Sequence, residues 1–346
     1  MRLILSNKTE KKKYQLIKWK NEHKIDIFVL QEHWLVQNFH LIEFLRAKNC
    51  KVIAIQHNFF LFPVIVTNDK KKNNFILNAS IATYKMVDAL VCLSKTDMQL
   101  WKASNAQNVV YIPNPLTFDP NQIQVSNLTS KNIILVGRLD KIFKQQHVAV
   151  EMMSKVVLID PEIQLQIIGN GDAEYATELK QLVLDLNLSS NVQFVPFQKN
   201  ITQYYQNAAA MWVTSSMEGY SMVVAEAKVF GLPVVAFDLE YPLLWEAGMT
   251  KVDYMDRNGM VRATIEILSN RTLALELQRE ALQSIEDIYT HKTVQKWKRV
   301  IGAVMDNQPI TAESGVSTEK AKKVLSSQLK VINPDLFALY EQIQNI

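Results

Sequence analysis

The stretch YYQNAAAMWVTSSMEGYSMVVAEAKVFGLPVVAFD, residues 204–238, decides the fold. MWVTSS (211–216) is an apolar run of strand length. A helical segment follows from Tyr220 or Ser221, a Gly-Leu-Pro turn at 231–233 ends it, and PVVAFD (233–238) is apolar again. Strand, helix and uncharged strand in succession make a βαβ unit, whose parallel strands are covered on both faces. Two carboxylates, Glu218 and Glu226, stand in this nearly uncharged stretch with seven residues between them. A glutamate at a helix start is stabilising in itself. One inside an apolar helix needs a ligand or a buried partner.

The alternation continues in both directions. Upstream lie NIILVGRLD (132–140), a helix near 145–158, QLQIIG (164–169), a helix near 173–187, VQFVPF (192–197) and a short helix, ITQYYQNA (201–208). Helical patterning resumes at 260–269 and 272–305. An earlier series has helices near 10–23, 36–48, 75–87 and 95–104. Between them run the strand-like IDIFVL (25–30), CKVIAIQ (50–56), ALVCLS (89–94) and VVYIP (109–113), with a lysine-rich polar loop at Lys70–Asn74. The fold class is α/β, with two doubly wound, Rossmann-like parallel-sheet domains at 1–115 and 131–305. Residues 116–130, rich in Asn, Gln and Ser, read as a linker. Residues 306–346 form a tail with a final helix carrying Val324, Leu325, Leu329 and Leu336–Leu339.

The 346 residues suit two ordinary domains, and 48% hydrophobic with 21% charged residues is the balance of a folded soluble protein. FFLFPVIV (59–66) is too short to span a bilayer. The lysine-rich first thirty residues lack a small-residue cleavage pattern, so the expected place is the cytoplasm. The two cysteines, Cys50 and Cys92, are far apart, which argues against a disulfide scaffold or a Cys-based zinc site. Residues 1–102 hold 17 Lys and Arg against 8 Asp and Glu, although the whole chain carries only +4. Two readings stand: a solvated basic surface, or a face toward an anionic partner such as a phosphorylated acceptor or the inner face of a membrane. KKKYQLIKWKNEHK (11–24) mixes lysines with an apolar stripe, which suits a membrane surface or simply a core. Nucleic acid is not among the expected partners. A protein partner for the tail is.

Arg138 and Gly137 follow the strand IILV, and Lys144 stands near the start of the next helix. In open α/β sheets ligands bind beyond the C-terminal strand ends, where two cations and a helix N-terminus seat a diphosphate. Surface cations are the plain alternative. Gly169-Asn170-Gly171-Asp172 follows QLQII; the glycines allow close approach of a ligand, or merely a strand-to-helix turn. Free N–H groups at the helix start after Glu218 would point at an anion. If the helix begins at Glu218, Glu226 lies about 12 Å further along, a span suited to two polyol groups flanking a diphosphate.

GRLDKIFK (137–144), IIGNGD (167–172), VQFVPF, the 204–238 stretch and VVYIPNPL (109–116) together resemble the retaining family 4 glycosyltransferases of GT-B fold, with Glu218 and Glu226 matching the family's Glu-x7-Glu pattern. The resemblance covers about residues 85–305 and implies two domains facing a cleft. It implies that Arg138 and Lys144 hold the donor diphosphate and stabilise the leaving nucleoside diphosphate. Glu218 would contact the donor sugar, and the amides of Gly219, Tyr220, Ser221 and Met222 would cap a phosphate. Glu226 would bind the ribose, Phe197 and Gln198 would lie near the base, and His57 would face the donor sugar. Gly137, Gly169 and Asn170 would line the donor site. No metal and no cofactor are implied; there is no Asp-x-Asp, His cluster or pyridoxal-type lysine motif. The family's opening strand and glycine-rich loop have no counterpart beyond Met1–Leu5, so the first domain reads as reduced. The expected function is transfer of a sugar from a nucleoside diphosphate sugar, UDP-linked, to a hydroxyl of a polysaccharide, glycolipid or protein acceptor. The alternative is a catalytically inactive glycosyltransferase-like subunit that stabilises or positions an active partner.

Overall fold

The computed structural model describes residues 9–31, 39–60, 62, 70–116, 118–239, 247–311 and 315–332. Met1–Leu5, the one stretch that could imitate an opening strand, and the helical Leu336–Leu339 lie outside them. By its contacts the chain divides into two units, residues 1–114 with 291–346, and residues 115–290.

The first unit holds a four-stranded sheet, β1 (Ile27–Gln31), β2 (Lys51–Gln56), β3 (Ala89–Cys92) and β4 (Val109–Tyr111), paired in that order. Every pairing is parallel. Its central strands are apolar because both faces are covered: Val52 to Ala54 and Ala89 to Cys92 are fully buried. The helix Lys70–Tyr84 takes in the lysine and asparagine run expected to be a loop. Lysine is a good helix former, and neither glycine nor proline interrupts the run.

The second unit holds six strands, all parallel, β5 (Asn132–Val136), β6 (Gln164–Ile168), β7 (Val192–Val195), β8 (Ala210–Val213), β9 (Val234–Phe237) and β10 (Met249–Val252). Their spatial order is β10-β9-β8-β5-β6-β7. This is the doubly wound order, in which the chain starts centrally, winds to one edge, and returns to wind to the other. The reversal lies between β5 and β8. β10 has no counterpart among the sequence-based strands; MTKV is too short and too polar for its pattern to show.

Residues 118–130, within the expected linker 116–130, belong by their contacts to the second unit. The Ser126 amide donates to the Phe230 carbonyl (2.8 Å), Ser126 Oγ to the Ala208 carbonyl (2.6 Å), and Arg271 to the carbonyls of Asn127 and Leu128 (2.9 and 3.0 Å). The helical run expected over 272–305 is two helices, Arg271–Ser284 and Thr290–Met305. They bury side chains in different units, Leu277 and Ala281 in the second, Val300 and Val304 in the first. The break at 285–289 lets each apolar face meet its own core.

Candidate donor site at the sheet reversal

The loop after β5 is built by its own polar groups. Asp140 Oδ1 accepts from the amides of Ile142 (3.1 Å) and Phe143 (2.8 Å), and Asp140 Oδ2 from Arg138 Nη2 (2.5 Å). Burial alone would raise the Asp140 carboxyl, but these donors outweigh it and hold it below its ordinary value. The fully buried Gln146 braces the loop from the helix Gln146–Ile159, donating to the Arg138 carbonyl (2.8 Å) and accepting from the Asp140 amide (3.1 Å). Arg138 therefore has a fixed backbone under an exposed guanidinium.

The end of β8 is tied to the same loop. Thr214 Oγ1 donates to the Lys144 carbonyl (2.8 Å), Ser216 Oγ to the Ile142 carbonyl (2.7 Å), and the Ser216 amide to the Phe143 carbonyl (2.9 Å). Lys144 and Glu218, 74 residues apart, meet here: Nζ donates to Oε1 at 2.5 Å. Ser215 Oγ donates to the same oxygen at 2.6 Å. Glu218 is only 8% exposed, so these partners supply the hydrogen bonds that water would otherwise give it. The Lys144 stem passes over Gly137: a Cβ there would lie 3.8 Å from Cδ, in ordinary contact.

The helix starts later than expected, at Met222, and Glu218 lies outside its first turn. Favourable interaction with the helix N-terminus is therefore not what holds Glu218; Lys144 and Ser215 are. Ser221 precedes the helix with φ 46°, in the left-handed region that serine rarely adopts. Its hydroxyl is buried without a hydrogen-bond partner among the described residues. It lines a small cavity of about 30 Å³ with Glu218, Asp238 and Lys251. Backbone strain and an unsatisfied buried hydroxyl at one residue are a departure from local stability of the kind that gathers at functional sites. Tyr220 is buried, and burial raises its phenol. A wider groove of about 770 Å³ opens beside Arg138, lined also by Ile142, Asp172 and Tyr175.

The glycines of GNGD have a local explanation. A Cβ on Gly169 (φ 144°) would lie 2.1 Å from the Gly137 carbonyl oxygen, and one on Gly171 2.2 Å from that of Leu139. The backbone they admit is that of the loop after β5, bridged at Leu139 and Gly171. Asn170 Oδ1 accepts from the Phe197 amide (3.0 Å), which ties the loop after β6 to the one after β7. Phe197 is 69% exposed, and Gln198 bonds back to the Pro196 carbonyl (2.9 Å).

Glu226 has the buried partner that the sequence left open: its Oε2 accepts from the Tyr205 hydroxyl at 2.9 Å. Gly137, Arg138, Lys144, Glu218 and Ser221 thus gather at the reversal, with Gly169 and Asn170 beside them and Phe197 and Gln198 one strand further on. His57 belongs to the first unit, just after β2. Its loop is held by the helix Lys95–Ala103: Asp97 Oδ1 accepts from the Phe60 amide (2.8 Å), and the Trp101 indole donates to Gln56. Residue-type patterns missed Thr214, Ser215 and Tyr205; the Thr-Ser-Ser run closing an apolar strand was the available sign.

Residues 119–281 match the family model described as glycosyl transferases group 1. An uncharacterized glycosyltransferase of Haemophilus influenzae is 27% identical over 225 residues, which are 62% of this chain and 61% of that protein. The poly(ribitol-phosphate) alpha-N-acetylglucosaminyltransferase of Staphylococcus aureus is 24% identical over 198 residues, 51% of this chain and 40% of its own length. The chain thus spans about three fifths or less of the curated relatives it matches. Among solved structures, Anabaena HepE in complex with UDP superposes with a TM-score of 0.70 at 14% identity, over 84% of this chain and 82% of that one. No described helix is long and apolar enough to cross a membrane. The fold is that of the GT-B glycosyltransferases, and within it residues 119–281 match the glycosyl transferases group 1 model.

Proposed function

We propose that the chain is a retaining glycosyltransferase. It moves a hexosyl or N-acetylhexosaminyl group from a UDP-sugar to a hydroxyl of a polysaccharide, glycolipid or protein acceptor, without a divalent metal. The observation that carries this reading is the Lys144–Glu218 pair at the reversal between β5 and β8, with Arg138 beside it. Ligands of doubly wound sheets bind at that point. Arg138 and Lys144 grip the diphosphate and balance the charge that grows on it as the sugar leaves, the task a metal has elsewhere. The amides of Gly219 to Met222, before and at the helix start, cap a phosphate. Glu218 holds the donor sugar, Glu226 the ribose, and Phe197 and Gln198 flank the base. Gly137, Gly169 and Asn170 shape the floor of the donor site. His57 is assigned to the transfer step. The basic first part serves as the face toward an anionic acceptor or membrane surface. The S. aureus relative, whose name specifies transfer to poly(ribitol-phosphate), supports a polymer acceptor; the UDP complex of HepE supports the donor.

Calorimetric titration of UDP- and GDP-sugars tests the reading. Binding by the wild type that weakens in Lys144→Ala and Glu226→Ala is expected. Absence of binding, or binding unchanged in both variants, overturns it. Binding without turnover under any acceptor would assign the chain to the class of inactive subunits instead.

A further inference from the structure

Tyr205 lies on the short helix Thr202–Gln206 and is completely buried. Its ring stacks on Phe230, with centroids 5.0 Å apart and planes 9° from parallel. Phe118, near the start of the second unit, meets both rings edge-on, at 6.4 Å from Tyr205 and 5.1 Å from Phe230. These contacts fix the ring, and the ring fixes the hydroxyl. That hydroxyl donates to Glu226 Oε2 at 2.9 Å. Burial, reinforced by the Glu226 charge, keeps the phenol protonated far above its ordinary range, so it remains a donor throughout physiological pH.

A glutamate's last torsion is broad and nearly free, so a carboxylate on a helix surface samples many orientations. The Tyr205 bond removes that freedom. Glu226 itself is half-buried, at the rim of the apolar layer rather than within it. A purely structural purpose for the pair is poorly served by this arrangement: phenylalanine would fill the same stacked slot without a buried hydroxyl to satisfy.

We infer that Tyr205 is a positioning residue. It aims the Glu226 carboxylate at the vicinal hydroxyls of a ribose, and so gives the site its preference for ribonucleotides over deoxyribonucleotides. The inference rests on the assignment of Glu226 to the ribose proposed above.

The test is calorimetry on the full chain with UDP and GDP, each compared with its 2′-deoxy counterpart. The wild type should favour the ribonucleotide by about tenfold, the scale of one hydrogen bond to a charged group. Tyr205→Phe should lose most of that ratio, binding the ribonucleotide several-fold more weakly and the deoxynucleotide unchanged. Glu226→Gln should lose it as well, and the double variant should show no further loss, as for two residues acting through one contact. An equal loss for both nucleotides in Tyr205→Phe, or a ratio that persists, overturns the positioning role while leaving the diphosphate reading intact. If Tyr205→Phe does not fold, Glu226→Gln alone decides: an unchanged ratio overturns the inference. Absence of any nucleotide binding by the wild type overturns the inference together with the proposed function.

Discussion

The two sheets are made of the same kind of strand, short, parallel and buried on both faces, yet they differ in order. The described strands of the first run β1-β2-β3-β4 in chain sequence; the second reverses between β5 and β8. Successive right-handed crossovers in one direction keep the loops at the strand ends side by side. A reversal sends neighbouring loops apart and leaves a crevice between them. The polar side chains follow this difference. In the second unit Arg138, Lys144, Ser215 and Glu218 converge at the reversal, and Ser221 is strained beside them. In the first, the buried Gln56, Ser94 and Asp97 serve to hold the loop that carries His57. One unit carries a converging polar cluster, the other a brace.

The largest expected effect tests this division directly. Lys144→Ala should lower turnover of a UDP-sugar by about 10²- to 10³-fold and weaken UDP binding as well. His57→Ala should lower turnover about 10²-fold and leave UDP affinity unchanged. Steady-state kinetics beside calorimetry reads both. Equal weakening of UDP by the two variants would break the comparison.

Next in size is a contrast between glycines. Gly169→Ala drives a Cβ into the Gly137 carbonyl from a positive φ and should cost about 3 kcal/mol or more of the second unit's stability. Gly302, in the helix Thr290–Met305 of the first unit, has nothing within 4 Å of an added Cβ. Gly302→Ala should therefore stabilise by about 0.5–1 kcal/mol. Urea unfolding distinguishes the two.

The units should also respond to pH in opposite directions. Burial raises Asp97, in the first unit, to about 7 from an ordinary 3.8. Between those values the folded chain keeps a proton that the unfolded chain releases, so stability falls as pH rises. Burial lowers Lys228, in the second unit, to about 7 from 10.5. Between those values the unfolded chain keeps the proton, so stability rises with pH. Each slope is at most about 1.4 kcal/mol per pH unit. Asp97→Asn should flatten the acid side and Lys228→Met the alkaline side, as read by denaturation midpoints from pH 4 to 10. Smallest is Ser221→Ala. Removing an unsatisfied buried hydroxyl should raise the melting temperature slightly, by the equivalent of about 1 kcal/mol or less, and weaken the donor severalfold. A lowered melting temperature would show that the hydroxyl is not a local cost.

Much of this was legible beforehand. Alternating apolar runs gave the parallel sheets, and the position of Arg138 after β5 and of Glu218 after β8 pointed to the candidate site at the reversal. What stayed hidden depends on pairs distant in sequence. Lys144 and Glu218 read as contacts for different parts of a ligand, and nothing within either segment shows that they meet. Tyr205 lies on a five-residue helix, too short for a periodic pattern, and its role depends on Glu226, 21 residues on. The glycines of GNGD read equally as room for a ligand or as a plain turn, because the neighbour that requires them, the Gly137–Leu139 backbone, comes from another strand. β10 is four residues long, and its pairing with β9 rather than its composition makes it a strand.

If the chain acts as proposed, the bond between Lys144 and Glu218 bears on the end of the reaction cycle. A site that grips a diphosphate with fixed cations risks keeping it, since departure would strand unbalanced positive charge in a poorly solvated place. Here an anion of the chain's own stands in hydrogen-bond contact with the gripping ammonium. Under the proposed function, Glu218 would balance the ammonium when the spent nucleotide leaves, and the vacated pocket would need no ion from solution. The same carboxylate would compete with every arriving phosphate and so discourage stray anions that offer no sugar. On that reading, affinity and release both depend on one hydrogen-bonded contact between two side chains.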